Sequence, residues 1–187
     1  MNKRAYGFTI VELLIVIVVI AILAVITVVA YNGIQRRATN TAIISAANQV
    51  IKAVQAHIAQ EGTYPALAVG NVCITNDSGC VRDTGGTDSA NATFDTNMAK
   101  VAKLPRSVPN VGAAGNGIVY NYTAGRTHNG DTQPAMLFYF LNGTSQSCGM
   151  GGVMNHWTTS TTPASGYTAN TSIGKTLCYV AIPGPSA

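Results

Sequence analysis

Residues 7–30 read GFTIVELLIVIVVIAILAVITVVA. From Leu13 to Ala30 no side chain is charged, and Thr27 is the one polar residue. The apolar stretch as a whole runs from Phe8 to Ala30, 23 residues with Glu12 as the single acid. Wound as a helix it is about 34 Å long, enough to cross a bilayer core. Lys3 and Arg4 precede it as a short basic head, which the positive-inside rule holds in the cytoplasm.

Glu12 is the anomaly. A carboxylate in a membrane helix costs about 2.5–3.5 kcal/mol at mid-bilayer and less near the edge. It either reaches headgroup depth and is solvated, or it meets a partner. Three readings of the segment compete. One is a secretory signal cut after Val28-Val29-Ala30, before Tyr31, although the apolar region exceeds the usual length for such signals. Another is a permanent signal anchor that holds a binding domain outside the cell and never polymerises. The third starts from the residues around Glu12.

Gly7-Phe8-Thr9-Ile10-Val11-Glu12, a short basic leader and a long uncharged helix together resemble the class III signal of type IV prepilins. The resemblance covers the N-terminus to about Ala30. It implies cleavage after Gly7 by a prepilin peptidase and N-methylation of Phe8 as the new first residue. It also implies that Glu12 of an incoming subunit pairs with the Phe8 amine of one already in the filament. The spacing makes that role feasible, because Glu12 lies one helical turn beyond Phe8 and an unpaired charge in apolar surroundings is costly. Many pilins break this helix with Pro and Gly. Here no Pro precedes Pro65, and the first Gly after Gly7 is Gly33, so melting of the apolar half is not expected.

Beyond Tyr31 the pattern turns amphipathic. Ile34, Ala38, Ile43, Ala47, Val50, Ile51, Val54 and Ile58 recur at helical spacing, with Arg36, Arg37, Lys52 and Gln55 mostly between them. The pattern predicts one helix over Phe8–Glu61, stopped by Gly62 and Pro65. The remainder reads as a β-rich head. A short helix is expected over about Asp95–Lys103, and strands over Ile118–Tyr122, Ala135–Leu141 and Thr176–Ile182. Trp157–Gly174, rich in Thr and Ser, reads as an exposed loop. The expected fold is α+β: a long N-terminal helix, transmembrane and then amphipathic, packed on a small antiparallel sheet. Its segments are a leader over 1–7, an assembly helix over 8–30, an amphipathic helix over 31–62 and a head over 63–187. The resemblance implies the lollipop shape of a type IV pilin.

Cys73, Cys80, Cys148 and Cys178 allow three connectivities. The favoured pairing is Cys73–Cys80, clipping a short loop, with Cys148–Cys178, closing a C-terminal disulfide region like that of many pilins. The rival is a zinc site, which the absence of a C-x2-C pair disfavours.

No nucleophile elbow, H-E-x-x-H or phosphate loop is present. His57, His128 and His156 lack motifs around them and read as solvated or structural. Asp83, Asp88 and Asn91 offer oxygen ligands but match no standard calcium loop, and read as a solvated surface loop. Five N-x-S/T sequons, at Asn76, Asn91, Asn121, Asn142 and Asn170, are what a Thr- and Asn-rich chain produces by chance. Neither an enzyme nor a cofactor is expected.

Only 10% of the 187 residues are charged, and the net charge is +4. Without Lys3 and Arg4 the basic count falls from 11 to 9 against 7 acidic residues, a side-chain net of +2. That excludes a strong electrostatic nucleic-acid binder. The resemblance implies a single-pass cytoplasmic membrane protein that becomes an extracellular helical homopolymer. Its partners would be other copies of itself, the prepilin peptidase, a platform protein and a motor ATPase. Host surfaces or DNA would be its targets, through adhesion, surface motility or DNA uptake. A pseudopilin of a type II secretion or DNA-uptake system shares the same N-terminus and is the alternative.

Overall fold

The computed structural model describes residues 9–65, 70–75 and 79–185. The chain divides into two compact units, with the boundary between Ala38 and Thr39. One helix, α1 (Ile10–Glu61), contributes to both. Gly62 ends it at φ +71°, and its N–H donates to Ile58 O at 2.8 Å. Glycine takes this left-handed conformation without steric penalty.

In the first unit α1 is rich in Val and Ile, which are weak helix formers in water. A backbone in lipid must satisfy its own hydrogen bonds, so the same sequence is helical there. Its large apolar side chains from Ile10 to Val28, and Tyr31 and Ile34 beyond them, are exposed. Thr27 satisfies its hydroxyl by donating to Ala24 O at 2.9 Å.

The second unit is α+β. After α1 come β1 (Asn71–Cys73), β2 (Cys80–Val81), β3 (Thr87–Asp88), α2 (Ala92–Ala99) and β4 (Ile118–Tyr122). Then follow β5 (Thr127–His128), β6 (Asp131–Thr132), β7 (Ala135–Asn142) and β8 (Val153–Met154). β9 (Thr159–Ser160), β10 (Ala169–Asn170) and β11 (Lys175–Ala181) complete it. The main sheet runs β1-β4-β7-β11-β10, and β8 also pairs with β11. All of these pairings are antiparallel; Leu137 of β7 faces Tyr120 on one side and Val180 on the other.

The α1 residues Ile43, Ala46, Ala47, Val50, Ala53 and Val54 are buried at helical spacing. They share a core with Ile118, Tyr120, Leu137, Tyr139, Leu141 and Val180 from one face of the sheet. Asn40 fixes the contact. Its amide donates to Asn142 O at 3.1 Å, and its Oδ1 accepts from Asn142 N at 2.8 Å. The other sheet face carries a second core of Val119, Met136, Phe138, Phe140 and Leu177, together with Cys73, Cys80 and Met154. β7 is therefore buried on both faces, as its unbroken apolar run requires.

Two expectations are corrected. α2 is not Asp95–Lys103 but Ala92–Ala99. Asn91 Oδ1 accepts from Phe94 N at 2.9 Å, so the N-cap sets the start three residues earlier. Phe94 and Met98 are buried from the helix, whereas Leu104 is buried without being helical. Nor is Trp157–Gly174 simply an exposed loop. β9 pairs with β5 in parallel and β10 with β11, and Ser160 is buried. The Thr hydroxyls act as local pins: Thr168 Oγ1 donates to Met154 O at 2.6 Å and accepts from Tyr179 N at 2.7 Å.

Candidate functional site

Gly7 and Phe8, the expected processing residues, lie outside the described residues. Glu12 is described, and it is not solitary. Its Oε2 accepts from the backbone N–H and from the hydroxyl of Thr9, both at 2.8 Å. In return Glu12 N donates to Thr9 Oγ1 at 3.3 Å. That is a reciprocal capping box, with Thr9 as N-cap and Glu12 three residues on. The carboxylate also lies in the first turn of α1, where the helix dipole favours negative charge. The T-x-x-E signature was present in the sequence, but there the acid was weighed only as a charge. The cap reduces the cost of placing an acid in apolar surroundings without removing its charge.

From Ile10 onward α1 presents Ile, Leu and Val to its surroundings. Among the described residues it is the one helix long and apolar enough to cross a membrane, with a mean hydropathy of 3.5 over its best window. Exposed apolar surface on this scale marks a contact with lipid or with other protein.

In the head, disulfides join Cys73 to Cys80 and Cys148 to Cys178. The first joins two residues seven apart, both buried in the second core. The second ties β11 to the segment after β7. Tyr139 Oη donates to Cys148 O at 2.7 Å and so anchors the same segment, and burial pushes its phenol above the usual range.

The histidines divide. His156 is exposed; His57 and His128 are buried. His128 Nδ1 lies 2.9 Å from Ser160 Oγ, and Asn129 Nδ2 lies 3.3 Å from Nε2. The Asn129 amide can only donate there. Nε2 is thus the acceptor, and Nδ1–H donates to Ser160. Burial lowers the pKa of His128, partly offset by the charge of Asp131. Asp88 is buried rather than solvated. Arg82 Nη2 lies 3.2 Å from its Oδ1, which also accepts from Asn71 Nδ2 at 3.0 Å. Asn91 Oδ1 is committed to the α2 cap, and no group of three His, Cys, Asp or Glu side chains among the described residues is arranged to hold a metal.

Arg126 was not singled out from sequence. It is 1% exposed and has only neutral hydrogen-bond partners. Nε donates to Trp157 O at 2.6 Å and Nη1 to Pro134 O at 2.7 Å. Nη2 donates to Asn121 Oδ1 and to Thr123 Oγ1. Burial pushes its pKa down to about 10, so it remains a cation at neutral pH. Thr-Ala-Gly before Arg126 and Thr-His-Asn-Gly after it look like solvent-facing turn sequence, and no local pattern signals the burial.

No curated protein and no solved structure matches the chain. Residues 2–28 match the family model described as the prokaryotic N-terminal methylation motif. The match spans the basic head, the Gly7–Phe8 junction, the Thr9–Glu12 cap and most of the apolar helix. This chain therefore carries the class III signal peptide of type IV pilin-like proteins, ahead of an α+β fold.

Proposed function

We propose that the chain is a structural subunit of a type IV pilus filament. The observation that carries this reading is the long apolar stretch of α1, exposed from Ile10 to Val28 and at Tyr31 and Ile34, headed by one capped acid and belonging to the same helix as the buried stripe Ile43–Val54. In this reading the leader is removed after Gly7 and Phe8 is methylated. The helix rests in the cytoplasmic membrane until assembly. Polymerisation replaces lipid contacts with contacts between helices, and Glu12 meets the Phe8 amine of a neighbouring copy and sets axial register. A platform protein and a motor ATPase drive extraction. The neutral, Thr- and Asn-rich head forms the outer surface, which serves adhesion, surface motility or DNA uptake.

Shearing of producing cells tests this. Long filaments containing this chain in the sheared fraction are the expected result. Retention of all the chain in the membrane fraction contradicts the pilus reading and favours a pseudopilin or an anchored binding domain.

A further inference from the structure

The one tryptophan of the chain, Trp157, is 44% exposed and stands at a cleft of about 510 Å³. Asn71, Arg82, Asp88, Asn121 and Thr123 line the same cleft. These residues form one connected network. Buried Arg126 holds Asn121, Thr123 and the backbone of Trp157 from beneath. Asn121 Nδ2 donates to Asn71 Oδ1 at 2.6 Å, Asn71 Nδ2 donates to Asp88 Oδ1 at 3.0 Å, and Arg82 completes the chain at 3.2 Å from that oxygen. The groups are in place before any ligand arrives, which lowers the ordering cost of binding.

The chemistry of the lining selects a ligand class. Arg82 and Asp88 neutralise each other, so a charged ligand gains nothing. Asp88 Oδ2 and Arg82 Nε are buried with no hydrogen-bond partner among the described residues, whereas the Arg82 side chain as a whole is 43% exposed at the cleft and is the donor a ligand can reach. Amides and an ion pair both donate and accept, as sugar hydroxyls do. An exposed indole offers an apolar face to the C–H side of a pyranose ring. The volume lies in the usual range for small-ligand sites. An added peptide strand is disfavoured, because Cys73 N of edge strand β1 is already bonded to Ser89 O at 2.9 Å. We propose that this cleft binds a neutral saccharide, its ring on Trp157 and its hydroxyls on the Asn71–Asp88–Arg82 side.

Titration of the full chain in a zwitterionic detergent without sugar headgroups tests this. The probes are D-glucose, D-galactose, N-acetyl-D-glucosamine and lactose. The emission of the single tryptophan reports from the cleft itself. A saturable shift with at least one sugar is expected. In Ala90→Tyr, where an exposed residue lining the cleft is enlarged, the response weakens about tenfold or more. In Trp157→Ala, ligand-observed NMR shows the sugar signal lost. Arg126 bonds the carbonyl of Trp157 and not its ring, so that variant keeps the network and its cooperative unfolding. No saturable response to any of the four sugars overturns the proposal, as does a response unchanged in Ala90→Tyr or an NMR signal that survives Trp157→Ala. None of these outcomes depends on whether the chain polymerises.

Discussion

Glu12 carries two separable roles. In the capping box it is an acceptor for Thr9; in the proposed filament it is a charge opposite the Phe8 amine. Glutamine serves equally well at the third position of a capping box but carries no charge. Glu12→Gln therefore separates the roles. If intersubunit charge pairing sets register, this variant loses sheared filaments as severely as Glu12→Ala does. Wild-type filament yield from Glu12→Gln assigns the residue to capping alone. His128 makes a pH prediction. Its folded pKa is below the unfolded value, so its contribution is complete above about pH 6.5 and is lost as pH falls through that value towards the folded one. Protonation would place an N–H on Nε2 against the Asn129 amide, so the bond that Nε2 accepts there is lost while Nδ1–H keeps its bond to Ser160 of β9. Melting temperatures measured from about pH 7.5 to pH 5 should fall, and His128→Asn should flatten that part of the fall.

At the scale of elements, stability concentrates where α1, β7 and β11 meet. On the chain-entropy model the Cys148–Cys178 bridge, with a separation of 30 residues, contributes about 3.7 kcal/mol, and Cys73–Cys80, with a separation of 7, about 2.5 kcal/mol. Cys148→Ser with Cys178→Ser should therefore lower the unfolding free energy more than the other double variant, as read by denaturant titration. Asn91→Ala should cost about 1 kcal/mol through the lost cap of α2. The long elements were legible from sequence because each obeys one strong period. α1 shows a helical stripe around Val50, and β7 an unbroken run around Phe138. The short ones were not. Asn71-Val72-Cys73 is too brief to show a period, and it is a strand because β4 pairs with it. Asn91 was weighed as an oxygen ligand and a sequon rather than as a cap. The cleft network was illegible for a related reason: Asn71, Asp88 and Asn121 lie far apart in sequence and meet only in the fold, and Arg126, five residues after Asn121, sits in a stretch that reads as an exposed turn.

For the whole molecule, the two units answer to different solvents. The head buries its apolar side chains on both faces of a sheet and leaves hydroxyls and amides outside. The N-terminal helical unit does the reverse, exposing Ile, Leu and Val. The low charge of the chain follows from both facts, and part of its basicity, Lys3 and Arg4, lies within the matched N-terminal motif. One measurement bears most directly on this division: N-terminal mass spectrometry of the chain recovered from the producing cells. The account predicts a mature chain beginning at Phe8 with one methyl group on its amine. A chain that begins at Tyr31, or that still carries Met1, contradicts it.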